Sequence, residues 1–254
     1  MRKKIYAFII LVSVALLPCA ALAGPVASVG DVTGTVELRS DEAGQWSRIE
    51  KQAEAAEGAA VRTLKDSGAV LRWFSGNTIK ISQLTAITIS KLLAGGGVEK
   101  TSIDIEKGRA LVAARKLEGR ESVFEIRTPY GTAAVRGTRF VVEVDETESR
   151  IIVIDGIVEV ITDDLSVTLD AGSMSTVPKD GAPEQPRPVP QEQKEDINKE
   201  FDPIVESAAA ADDAAQQAEQ AVIEDTIQEI LEEQQTQQEI LDNVSRPEEV
   251  YEQW

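Results

Sequence analysis

The sequence contains no histidine and a single cysteine, Cys19, and only 4% of its 254 residues are aromatic. Without imidazole there is no Ser-His-Asp or Cys-His triad and no zinc site with histidine ligands. Cys19 lies just past an N-terminal apolar run, within the first 23 residues, so the remainder of the chain holds no thiol. No disulfide framework can staple the fold, and its core must hold it together. With so few aromatics, aliphatic and β-branched side chains must fill most of that core. Carboxylates are plentiful (44 Asp+Glu), which makes any one pair uninformative. The reading is a protein that is not an enzyme and has no cofactor.

Basic residues are scarce too, 26 against those 44 acids, for a net charge of -18. The deficit is uneven. From Asp180 to Trp254 there are 21 acidic and 4 basic residues, a net of -17. Such a polyanion is repelled by nucleic acid and by anionic headgroups. Its partner is expected to be an envelope protein or a glycan, with no nucleic acid and no stable membrane insertion.

The start of the chain explains the compartment. Arg2, Lys3 and Lys4 precede an apolar run from Ile5 to Leu17, and Ala21-Leu22-Ala23 forms a small-x-small cleavage signal. This pattern predicts a secretory signal peptide over 1–23, cut after Ala23. The run is shorter than the ~20 residues of a spanning helix. The mature protein is expected in the periplasm or outside the cell, at a net charge of -21 once the three basic residues are gone.

Residues 24–177 read as short strands separated by turn residues, an all-β domain. Phe140, Val142 and Val144 alternate with Val141, Glu143 and Asp145, the period of a half-buried strand. Ser75-Gly76-Asn77 predicts a hairpin turn, and Lys107-Gly108 and Asp155-Gly156 predict two more. A sandwich, a barrel-like sheet and a short β-helix all suit strands this brief. Composition then changes. Pro178, Pro183, Pro186, Pro188 and Pro190 mark residues 178–202 as a semi-extended linker. Residues 203–254 form an acidic tail of helix-compatible composition. In it, Ile223, Ile227, Ile230, Leu241 and Val244 make a narrow apolar stripe. Such a stripe predicts a weak homo-oligomeric coiled coil through 204–244, docking on a partner, or partial disorder.

One segment is distinctive. Thr128-Pro129, then Val135-Arg136-Gly137-Thr138 with Phe140, then Asp155-Gly156 through Val160, resembles the FecR domain family. The resemblance covers roughly residues 26–177. It implies an all-β extracytoplasmic domain, in a family whose best-known members are transmembrane regulators of cytoplasmic sigma factors. Only four residues precede the apolar run here, so a stand-alone secreted member is expected. The function expected is an exported binding or scaffolding module of the cell envelope. The alternative is a periplasmic signalling accessory contacting a transporter or a sigma-factor regulator. Within the motif, Thr128, Pro129, Arg136, Gly137, Thr138, Arg139, Phe140, Asp155 and Gly156 are expected to be structural. Arg136 or Arg139 is expected to be partly buried and paired with a carboxylate such as Glu125 or Glu143, or else presented to an acidic or glycan ligand.

Overall fold

The computed structural model describes residues 25–204, apart from 74, 96–97, 117–120 and 164, together with 220, 223, 226–228, 234 and 235. The expected signal peptide, and most of the expected coiled-coil stripe, lie outside these residues. Strands dominate the chain. The first half comprises β1 (Ala27–Thr33), β2 (Val36–Arg39), β3 (Ser47–Ile49), β4 (Ala53–Ala55), β5 (Ala60–Thr63), β6 (Gly68–Trp73), β7 (Thr78–Ile81) and β8 (Ala86–Gly95). The second half adds β9 (Val98–Ala114), β10 (Glu121–Thr128), β11 (Gly131–Val135), β12 (Thr138–Val144) and β13 (Glu148–Asp155). It closes with β14 (Ile157–Ile161), β15 (Ser166–Asp170), β16 (Ser173–Pro178) and β17 (Arg187–Pro188).

Pairing sorts these strands into two sheets. Sheet A runs β4-β1-β6-β7-β9-β12-β13-β16-β17. Sheet B runs β3-β2-β5-β8-β9-β10-β11-β14-β15. Strand β9 serves both, pairing in sheet B over 98–107 and in sheet A over 108–114. The pair β9–β10 is parallel because the chain travels through sheet A between them, the crossover that parallel pairing requires.

Inward side chains of both sheets meet in one core that includes Leu71, Ile79, Ile103, Ile126, Phe140 and Val158, all fully buried. Trp73 of sheet A meets Phe124 of sheet B edge-on, with ring centroids 6.2 Å apart. Of the architectures that strand length left open, the chain adopts the two-sheet sandwich. Its aliphatic filling is what few aromatics require.

The chain changes sheet repeatedly, and most crossings carry a residue of positive φ: Gly34, Gly58, Asp66, Leu84, Gly108, Gly137, Gly156 and Gly172. This corrects two expected turns. Lys107-Gly108 is a bend inside β9, and Asp155-Gly156 is a crossing from β13 in sheet A to β14 in sheet B rather than a hairpin. Ser75-Gly76-Asn77 does close a hairpin, between β6 and β7.

A four-strand unit occurs twice. Strand β5 lies in sheet B, β6 and β7 form a hairpin in sheet A, and β8 returns to pair with β5. Strands β11 to β14 repeat that path. Ala59-Ala60-Val61-Arg62 and Ala133-Ala134-Val135-Arg136 are identical and occupy equivalent positions: Val61 lies opposite Ile87, and Val135 opposite Val158.

The expected linker over 178–202 is folded onto sheet A, which also moves the expected start of the helical region from 203. Strand β17 pairs with Ser173 and Met174 of β16, and a helix, α1, spans 191–204. Ile197, Phe201 and Ile204, at i, i+4 and i+7, share its buried face. They pack in one cluster with Leu111, Val141, Ile152, Ile154 and Met174, the outward apolar residues of sheet A. Proline content suggested an extended spacer, but sheet A had an uncovered apolar strip. Burying each such side chain contributes about 1.5–3 kcal/mol, enough to fold the segment down.

Candidate binding cleft

The motif residues are placed by the crossings. Thr128 and Pro129 form the β10–β11 turn. The Thr128 hydroxyl donates to Gly131 O at 2.9 Å and accepts from the N–H groups of Tyr130 and Gly131 at 3.2 and 3.1 Å. It also lies 3.2 Å from Ser149 Oγ, which fixes the turn against β13. Gly137 carries the chain from sheet B to sheet A at φ +68°. Thr138 is buried, and its hydroxyl donates to Ile157 O at 2.9 Å, tying the head of β12 to the head of β14. Gly156 completes this corner at φ +85°, and a Cβ there would stand 2.5 Å from Gly137 O. Phe140 is wholly buried in the core.

The two arginines divide at this corner, and neither meets Glu125 or Glu143. Arg136 is exposed at the end of β11 and makes no ion pair with Glu125 or Glu143. Arg139 is half-exposed, and its Nε lies 3.7 Å from Asp155 Oδ2, a surface pair. The two expected carboxylates are engaged elsewhere. Glu125 meets Lys100 and Arg127, and Glu143 meets Arg109 and Arg150.

Sequence reasoning missed the strongest ionic contact. Arg109, just past the bend in β9, holds Glu200 of α1 through Nη1 at 2.6 Å and Nη2 at 3.0 Å, and Glu143 through Nε at 3.1 Å. Burial works against its charge, but Glu200 and Glu143 outweigh that and raise its pKa above the ordinary value. No sequence signal links positions 109 and 200, because the contact depends on α1 folding back.

The Thr128 hairpin forms one wall of a polar cleft of about 430 Å³. The β14–β15 turn (Ile161, Thr162, Asp163) and the segment after β16 (Lys179, Gly181, Ala182) form the others. Tyr130 stands in it with its hydroxyl donating to Asp145 O at 2.9 Å. Lys179 N is held by Thr147 O at 2.8 Å, which positions that segment. Hydroxyls, backbone groups and one ammonium converge here, a set suited to hydrogen-bonding a polar ligand. Among the described residues no cluster of three or more acidic or thiol side chains could hold a metal ion, and no helix is long and apolar enough to cross a membrane.

Residues 59–159 match the family model described as FecR protein. No curated protein matches the chain. Two crystal structures, at 1.65 and 2.50 Å resolution, of a protein described as an anti-sigma factor from Parabacteroides distasonis ATCC 8503 are similar at 16% identity and a TM-score of 0.43. Each match covers 51% of this chain and 59% of that one. The matched residues contain the corner-forming Arg136-Gly137-Thr138 and Asp155-Gly156 segments together with the hairpin at Thr128, so the FecR match falls on residues 59–159 of the β sandwich.

Proposed function

We propose that this chain is an exported, non-enzymatic FecR-domain module that binds another protein or a glycan of the cell envelope and serves there as a binding or scaffolding element. The observation that carries the reading is the polar cleft at the Thr128–Gly131 hairpin. Gly137, Thr138, Phe140 and Gly156 build corners and core and the two arginines lie at the surface outside the cleft, so that hairpin is where the motif reaches a concave surface. Export rests on the basic, apolar and small-x-small succession of residues 2–23. A FecR domain also favours a second reading, a periplasmic signalling accessory that contacts a transporter or a sigma-factor regulator.

A photo-crosslinking residue placed at Thr132, on the cleft wall, tests both in intact cells. The binding-module reading expects a discrete envelope adduct, lost when Lys179 is replaced by Glu, on a protein whose mature N-terminus is Gly24. Capture of a transporter or a sigma-factor regulator selects the second reading. An unprocessed Met1 on protein retained in the cytoplasm overturns both.

A further inference from the structure

The outer face of sheet B carries, near its N-terminal edge, a cluster that the cleft does not use. The Arg39 and Arg62 guanidinium carbons lie 5.0 and 4.2 Å from the centroid of the Trp46 ring. Arg48 and Arg62 flank Glu37 in register, one on β3 and the other on β5. Arg62 bonds Glu37 at 2.6 Å, while Arg48 reaches only Gly34 O at 3.5 Å. No ion pair joins Arg39 or Arg48 to a carboxylate among the described residues, and Arg39 Nε is buried with no hydrogen-bond partner. On this face three guanidiniums stand around one carboxylate, Glu37, with Asp41 and Glu42 in the exposed loop that follows β2.

Stacking on an indole orients a guanidinium while leaving its edge N–H groups free, and that edge matches a carboxylate in two-point geometry. Beside the patch, β3 pairs with β2 alone among the described strands. Its outer N–H and C=O groups form an open sheet edge.

We propose that this patch and this edge together bind an extended, acidic segment of another envelope protein. The segment adds as a strand to β3 and sets its carboxylates on Arg39, Arg48 and Arg62. The proposal rests on the binding-module reading and names the partner's chemistry. A polypeptide fits better than an anionic glycan because only a peptide backbone can continue the hydrogen-bond ladder at a strand edge. A foreign segment fits better than this chain's own acidic tail, whose described positions between 220 and 235 are helical.

The test titrates the mature protein with three probes: a peptide alternating Glu and Val, one alternating Glu and Pro, and polygalacturonate. The Glu-Val peptide should bind, perturb a fluorescence signal that Trp46→Phe abolishes, and weaken as salt is raised. Arg48→Glu and Arg39→Glu should each weaken it by about tenfold or more, with circular dichroism checking the fold. Arg48 is exposed, so its variant keeps the test valid if Arg39→Glu does not fold. The Glu-Pro peptide should bind far more weakly, since proline fixes φ at about −65° at every second residue and holds the peptide in a polyproline helix of roughly three residues per turn rather than an extended strand. Equal binding of the two peptides, tighter binding of polygalacturonate, or affinity unchanged by charge reversal overturns the proposal. Should the Thr132 crosslink persist in cells while the Glu-Val peptide fails to bind, the patch is refuted and the binding-module reading stands.

Discussion

Two glycines of positive φ, each at a crossing between the sheets, tolerate a side chain unequally. At Gly156 a Cβ would meet Gly137 O at 2.5 Å and Thr138 Oγ1 at 2.8 Å, on a backbone at φ +85°. At Gly58 the φ is +89° but nothing lies within 4 Å. An L-residue in the left-handed region costs roughly 1–2 kcal/mol. Gly58→Ala should therefore lose only about that much. Gly156→Ala adds a collision with backbone that cannot swing aside, and should lose about 3 kcal/mol or more. Urea midpoints at unchanged m-value measure both; equal losses would mean that the corner yields. The arginines divide in the same way. Arg136 is exposed and unpaired among the described residues, so Arg136→Ala should change stability by less than about 0.5 kcal/mol. Arg109→Ala removes three charge-assisted hydrogen bonds, leaving Glu200 without its partner and Glu143 with Arg150 alone. A loss of about 2 kcal/mol is expected, read from the same denaturation curves.

At the scale of elements, the β12–β13 hairpin carries its own pH dependence. The Asp145 carboxylate accepts from Thr147 N at 2.7 Å, Thr147 Oγ1 at 2.8 Å and Glu148 N at 2.9 Å. Those bonds, chiefly the one from Thr147 N, hold its pKa below the ordinary 3.8. A lowered folded-state pKa means that the carboxylate's contribution is complete above pH 3.8 and fades as the pH falls through the lowered value. Wild-type stability should thus decline more steeply with acid than that of Asp145→Asn. Thermal melts across that window check it, and parallel curves would remove Asp145 from the account.

Much of this level was legible in sequence. Alternation located β12, and the Ser75-Gly76-Asn77 turn located the β6–β7 hairpin. What failed was the meaning of glycine. Gly108 and Gly156 read as hairpin turns because a positive-φ signal marks reversal and sheet-crossing alike; only the partner strand, far away in sequence, tells them apart. The Ala-Ala-Val-Arg repeat was visible and would have shown the doubled unit, with Arg136 and Arg62 as counterparts. The cleft was not legible, since its walls come from three separate segments, 128–132, 161–163 and 179–182, that only the fold brings together.

For the whole molecule, the question is where the folded unit stops. Proline content placed that limit at Pro178, yet α1 lies beyond it and covers Leu111, Val141, Ile152, Ile154 and Met174. A chain ended after Pro190 loses Ile197, Phe201 and Ile204, each contributing about 1.5–3 kcal/mol when buried, and it loses the Arg109–Glu200 clamp as well. It should bind a hydrophobic dye, and it should self-associate through the uncovered strip. A chain ended after Ile204 keeps the strip covered and should stay monomeric at every salt concentration. The full-length protein differs from this second form by the tail, where Ile223 and Ile227 are about half exposed, at 48% and 51%. Apolar side chains at i and i+4 favour pairing of tails, while the acidic charge around them opposes it. Salt screens the charge without weakening the apolar contact, so association of the full-length protein should increase with ionic strength. Sedimentation of the three forms at low and high salt separates the cases. If the form ended after Pro190 is a dye-silent monomer, α1 is not part of the folded unit. If the full-length protein is a monomer throughout, the tail's apolar stripe is left for a foreign partner.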